Sequence, residues 1–284
     1  MSTLFVNKLT NIDFSFLHPY QGLVGESWLL DIQLKGSLNE EGMVLDFGLV
    51  KKAVRDYVDT SIDHCLVVPK DYEGCDLSET DERLTIDFTL ADGRSIKHTS
   101  VASAVCLLEA DVVSTDTVRT NILQALAAVI PENVEELDIQ LYPQPGLDLF
   151  YRYSHGLRKH QGNCQRIAHG HRSDLKVFID DREDIKWRNY WFEHWEDIYI
   201  GTRHHVIDES DSHLHFQYES EQGVFELSLP KAVCYLIDNE STVENIAQHL
   251  ADETAKLNPG KQVKIMAFEG IGKGAIATAL ASSQ

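Results

Sequence analysis

The chain is short of positive charge. Its 284 residues carry 25 Lys and Arg against 45 Asp and Glu, a formal net charge of −20. A nucleic acid or an anionic membrane surface would be repelled, so neither is an expected partner. Cysteine is scarce as well. Cys65, Cys75, Cys106, Cys164 and Cys234 are odd in number and scattered, which argues against a disulfide framework. No apolar run approaches a membrane span, and residues 1–8 lack the apolar core of a secretory signal. There is no His-Glu-x-x-His pattern, the signature of many zinc hydrolases. A soluble cytoplasmic protein of one large or two medium domains is expected.

What the chain does have is histidine, concentrated in one stretch. His155, Cys164, His169 and His171 fall within 17 residues. Alternate side chains of a strand share a face, so His169 and His171 can point at one ion. His155 ends a separate strand-like run, Leu149 to Ser154, whose pairing with the next strand would bring a third imidazole to the same point. Three neutral imidazoles leave a tetrahedral zinc one open position, as in catalytic sites. A thiolate near a dication suits a base or nucleophile, a role open to Cys164. Arg152, Arg158, Lys159, Arg166 and Arg172 crowd the same stretch and would make its field positive despite the acidic whole.

The order of motifs repeats. Residues 3–17 and Leu29 to Lys35 read as strands. Apolar residues at 49, 50, 53, 54, 57 and 58 predict a helix with Asp46 as its cap. Residues 84–98 read as a hairpin turning at Asp92-Gly93. A helix opens at Ser114 or Thr115 and runs to Ile130, before Pro131. The second half offers matching blocks: residues 211–219 for 81–89, Ala232-Val-Cys for Ala104-Val-Cys, Ser241-Thr for Ser114-Thr, and residues 263–268 for 137–142. Phe14 to His18 matches Tyr151 to His155. A shared order of blocks predicts duplication, with copies at 1–143 and 147–284 joined near Pro143–Gly146. In this register His169 and His171 face Val24 and Glu26, so the first copy keeps only His18 and cannot hold the ion. Conversely, Asp63-His64 faces Arg203-His204. A carboxylate beside an imidazole fixes its tautomer and raises its basicity, provided the pair sits at a turn or helix end. Glu269 ends the last strand, and a carboxylate there can accept two parallel N–H bonds. Trp187, Trp191 and Trp195 recur every four residues, a helix face expected to pack in a core or interface.

Taken together, His155, Cys164, His169-Gly170-His171, the Leu45-Asp46-Phe47-Gly48 helix start, Asp63-His64 and Glu269 resemble the 6-pyruvoyl-tetrahydropterin synthase / 6-carboxy-tetrahydropterin synthase family. The resemblance spans most of the chain once it is read as two copies. It implies an α+β tunnelling fold, twice over, each copy an antiparallel sheet with two helices on one face. It implies Zn2+ held by His155, His169 and His171, with 7,8-dihydroneopterin triphosphate as substrate. Cys164 would be the proton acceptor, Asp63-His64 the proton relay and Glu269 the pterin anchor. Family sites lie between neighbouring subunits, so in a tandem chain each copy would supply what the other has lost, within a chain or across chains. A homo-oligomer is implied, a trimer of tandem chains by analogy. Four residues separate Cys164 from His169, a spacing that does not choose between the carboxy and pyruvoyl products. The 6-carboxy product, for queuosine-type deazapurine synthesis, is the leading expectation. The alternatives are the pyruvoyl product, side-chain cleavage toward folate, or a pterin-binding protein without catalysis.

Overall fold

The computed structural model describes residues 1–38, 42, 47–127 and 134–281. The first half opens with a long hairpin, β1 (Ser2–His18) and β2 (Gly22–Gly36), followed by α1 (Phe47–Ser61) and β3 (Leu66–Pro69). Then come β4 (Cys75–Thr80), β5 (Arg83–Thr89), β6 (Ser95–Val101) and β7 (Val105–Leu108). The half closes with α2 (Thr115–Leu126) and β8 (Val134–Pro143). Its main sheet has the order β7-β3-β1-β2-β8. The expected antiparallel sheet is therefore mixed, because β3 and β7 run parallel to β1. Each reaches the sheet through a crossover rather than a tight turn, and only a crossover connection allows parallel pairing.

Burial periodicity makes the helices. Val50, Val54 and Val58 recur every four residues on α1 and are buried with Ile62 against Phe14, Val24 and Leu30 of the sheet. Ser114 caps α2: its Oγ accepts from Thr117 N at 3.2 Å, while Thr117 Oγ1 accepts from Ser114 N at 2.9 Å. Asp46, Ile130 and Pro131 lie outside the described residues.

The second half repeats the plan. It comprises β9 (Tyr151–His155), β10 (His169–Ser173), β11 (Leu175–Ile179), β12 (Arg182–Glu183), α3 (Ile185–His194) and β13 (Ile198–Thr202). After these follow β14 (Val206–Glu209), β15 (His213–Ser220), β16 (Gly223–Pro230), β17 (Cys234–Ile237), α4 (Val243–Lys256), β18 (Gln262–Phe268) and β19 (Gly274–Leu280). The strand equivalent to β2 is broken at Asp174, giving two sheets, β10-β9-β13-β17 and β12-β11-β18-β19. Trp191 and Trp195 are buried against Tyr151, Ile246 and Ile265, so the tryptophan face is core, as expected. All five cysteines are free thiols.

Two features weld the halves together. The hairpin insertions form one six-stranded sheet, β14-β15-β16-β6-β5-β4, through antiparallel pairing of β16 with β6. The main sheets also meet face to face where β2 crosses β10. A Cβ on Gly25 would stand 2.0 Å from Tyr153 O, and one on Gly170 would stand 2.7 Å from Gly25 Cα. Only glycine permits that approach. Beside it Ser15 Oγ and Ser154 Oγ are 2.7 Å apart, and Ser27 Oγ accepts from Arg172 N at 3.1 Å.

At the seam of the shared sheet lies His98, fully buried opposite Leu227, its Nε2 3.0 Å from Ser100 Oγ. Burial, helped by Arg83, pushes its pKa down to about 3. The folded protein therefore refuses a proton that the unfolded chain accepts below pH ~6.5, and stability falls as pH drops. Between pH 6.5 and 5 the loss is expected to be about 2 kcal/mol. Unfolding free energies from urea titrations across this range in the native chain and in His98→Asn should diverge by that amount; parallel curves would refute the assignment.

Candidate active site

The register of β9 and β10 builds the histidine centre. His155 stands directly opposite His169, and His171 lies two residues on, on the same face. All three are buried, and their ligand nitrogens lie within 4.8 Å of one another. His155 and His169 have their Nδ1 engaged. His155 Nδ1 donates to Ser241 O at 2.9 Å and His169 Nδ1 to Arg166 O at 2.9 Å. His171 Nδ1 stands 3.2 Å from Asp13 Oδ1, and both of its ring nitrogens are buried without a hydrogen-bond partner. Nε2 is thus the nitrogen that His155 and His169 have left for an ion, and that of His155 is buried without a hydrogen-bond partner. Burial first, and the neighbouring imidazoles second, hold the pKa values of His155 and His169 well below the usual histidine range. Both stay neutral, the form that ligates metal.

Asp13 ties this centre to the first half, and the sequence reading missed it. Ser27 Oγ donates to its Oδ1, and Lys273 Nζ stands 3.4 Å from its Oδ2. Burial opposes its charge, but His171, Lys273 and Ser27 outweigh burial and hold the carboxyl well below the usual carboxylate range. Its backbone N–H donates to Asp63 Oδ1 at 2.8 Å, and its carbonyl accepts from His64 N at 2.7 Å. One residue thereby positions both a triad histidine and the Asp63-His64 pair.

That pair sits in the turn between α1 and β3, the location its cooperation requires. His64 adopts φ +55°, and its Nδ1 is 2.5 Å from Asp63 Oδ2. Its other ring nitrogen is left for the site. His64, Cys164 and His169 bring ligand atoms within 4.8 Å of one another. Burial opposes protonation of His64, but Asp63 and Cys164 prevail and push its pKa up to about 10. Cys164 lies on the helical turn Gly162–Gln165, held by the Leu157 N–H donating to its carbonyl at 3.0 Å. Glu269 ends β18 in the turn closed by its N–H to Lys273 O at 3.0 Å. Its Oε2 is 3.9 Å from Lys273 Nζ, which links it to Asp13 at the rim of the centre.

Three expectations need correction. Phe16 pairs with Val24 as His155 pairs with His169, and Ser15 and Ser154 make the equivalent pairings with β3 and β13. The twin of His155 is therefore Phe16, not His18, which instead accepts the N–H groups of Tyr20 and Gln21 at 3.2 Å in the β1–β2 turn. By the same ladders Leu66 matches Tyr199, so the twin of Asp63-His64 is Glu196-Asp197, not Arg203-His204. Asp197 shares the positive φ, +51°. Finally, the basic cluster is largely spent within the fold. Arg152 pairs with Asp197 at 2.7 Å, Arg172 stands 3.8 Å from Glu26, and Arg166 donates to Cys65 Sγ at 2.8 Å. Arg158 and Lys159 remain exposed.

A duplicated α+β fold whose halves share one buried histidine centre defines the class. Within it, the family model described as 6-pyruvoyl tetrahydropterin synthase matches residues 13–122 and again 148–277. The chain belongs to that family, as a tandem of two copies; its members are lyases. Among solved structures, 6-pyruvoyltetrahydropterin synthase of Plasmodium vivax is similar at 19% identity and TM-score 0.43, over 51% of this chain and 93% of that one. The Plasmodium falciparum enzyme is similar at 16% identity and TM-score 0.40, over 51% and 92%. No curated protein matches. Among the described residues no helix is long and apolar enough to cross a membrane.

Replacing Asp13 by Ala leaves His171 and Lys273 facing a void. Lys273 is half exposed and can be solvated, so the cost is that of leaving the buried Ser27 hydroxyl and His171 without the carboxylate beside them, about 1–3 kcal/mol. Urea unfolding of Asp13→Ala at pH 7 should register that loss; an unchanged midpoint would remove Asp13 from its central position.

Proposed function

We propose that the chain is a zinc-dependent lyase converting 7,8-dihydroneopterin triphosphate to 6-carboxy-5,6,7,8-tetrahydropterin, with domains at 1–143 and 147–284. One observation carries this reading: three buried imidazoles meet a cysteine from their own half and an Asp-His pair from the other half of the same chain. His155, His169 and His171 would hold the zinc. The occupied Nδ1 and free Nε2 atoms of His155 and His169 are the donor state a dication requires, and His171 has unpartnered nitrogens beside them. When bound, zinc supplies Lewis acidity to hydroxyls of the substrate side chain.

The protein groups supply the rest. Cys164 takes the proton from the carbon beside such a hydroxyl. His64, oriented by Asp63, carries protons to and from the side chain. Glu269 accepts paired N–H bonds from the amidine-like edge of the pterin and fixes the ring. Arg158 and Lys159, exposed on the loop that bears Cys164, are suited to the triphosphate. The same reading makes the protein a cytoplasmic homo-oligomer, three chains supplying six domains, whose product feeds queuosine-type deazapurine synthesis.

Turnover of dihydroneopterin triphosphate is the direct test, with the product identified by mass. Cys164→Ala, His64→Ala and Asp63→Asn should each lower kcat by about 10²–10⁴. All three positions lie in one site of one chain, so mixing Cys164→Ala with His64→Ala protein under subunit exchange should restore nothing. Recovery would mean that the site forms between chains. A pyruvoyl or side-chain-cleaved product would redirect the assignment, and pterin binding without turnover would favour a binding protein. Separately, His171→Ala should lose the zinc of the triad while keeping the far-ultraviolet dichroism of the native chain; retention of that zinc would sink the ligand assignment.

A further inference from the structure

A second cluster of metal-binding side chains lies outside the centre just described. His204 and His205 sit on the helical turn Arg203–His205 that ends β13, facing Glu240 from the segment before α4. Their ligand atoms lie within 4.8 Å of one another. His204 Nε2 is 3.6 Å and His205 Nε2 3.4 Å from the same Glu240 oxygen, Oε1. These are ion-pair distances without hydrogen-bond geometry. His205 is 3% exposed, yet its Nε2 has no hydrogen-bond partner, and neither has Glu240 Oε1 or Oε2. A buried imidazole nitrogen and two buried carboxylate oxygens left unpaired, all converging, are costly unless something joins them.

We infer that His204, His205 and Glu240 form a second site, for a divalent first-row transition-metal cation. Two imidazoles and one carboxylate are a recurrent donor set for such ions and leave coordination positions open. Two neutral imidazoles and one carboxylate bring a single negative charge to the dication. His204 is half exposed, its side chain 50% accessible, so the open positions face solvent and the ion can exchange. The two sites are adjacent but separate. The carbonyl of Ser241, next to Glu240, is the group that holds His155 Nδ1, whereas no ligand is shared. The cluster has no counterpart at Asp63-His64, because the turn Arg203–His205 follows β13 while that pair precedes β3.

The full chain, stripped of metal and titrated with Co2+ or Zn2+ alone, tests this by metal content after gel filtration. The native chain should carry about two ions per chain. His204→Ala should carry about one, and the metal-free variant should share the urea midpoint of the metal-free native chain because its side chain is half exposed. Glu240→Gln, which keeps the shape and removes the charge, should also carry about one. His171→Ala, which disables the triad, should keep one. Two ions retained by both His204→Ala and Glu240→Gln would overturn the inference, as would a single ion in the native chain that only His171→Ala removes. A single ion in the native chain that His204→Ala removes and His171→Ala does not would support the second site while ending the zinc reading of the triad.

Discussion

The contact between Gly25 and Gly170 is the constraint on which the rest depends. A side chain at either position would occupy space already filled by backbone of the opposite half. Because neither has one, β2 and β10 cross at contact, and Ser15 and Ser154 meet beside them. That closeness carries Asp13, on the strand next to β2, within reach of His171 on β10. The backbone of Asp13 in turn holds Asp63 and His64. A few ångströms of separation would leave a histidine centre without its carboxylate and an Asp-His pair facing water. The shared hairpin sheet gives a second attachment at a distance, so the crossing is loaded as a clamp rather than a hinge.

Much of the fold was legible because periodicity reports burial directly. The α1 valines, the α2 cap, the hairpins and the tryptophan helix all follow from local patterns. The histidine triad was legible for the same reason, since alternation along one strand and pairing with its neighbour are local rules. What failed was register. Aligning Phe14 with Tyr151 instead of Tyr153 is a slip of two, and a slip of two leaves every side chain on its own face. Alternation therefore cannot detect it, and only the ladder pairings do. The Arg203-His204 match failed because the connection between the second and third main-sheet strands is shorter in the second half, where α3 has 10 residues against the 15 of α1.

Asp13 was illegible for a different reason. Ile12, Phe14 and Phe16 alternate with Asp13 and Ser15, the pattern of a strand with one wet face. Yet residues 12–17 are buried on both faces, because the other half covers the polar one. A strand that looks amphipathic from its own domain can be central to a two-domain core. The polar side chains on its second face are then candidates for an interdomain site, not for solvent.

The twin positions explain why one centre exists and not two. Where the second half's triad has His155, His169 and His171, the first has Phe16, Val24 and Glu26. Where the first half contributes Asp13 and His64, the second has Arg152 and Asp197. At Asp13 against Arg152 and at His64 against Asp197 the signs are reversed. In one place a carboxylate stands against a buried imidazole, His171. In the other a guanidinium, itself a cation, is held by Asp197 through contacts of 2.7 and 2.8 Å. Glu26, with Arg172 at 3.8 Å, is so poorly compensated that burial pushes its pKa up to about 6. The arginine thus places a covalently held positive charge where the first half has the Asp13 carboxylate. A side chain cannot leave, so the twin is fixed and closed to ligand exchange, whereas the histidine centre keeps open donors. Duplication with reversed charge at matched positions turns a symmetric pair of sites into one site and one brace.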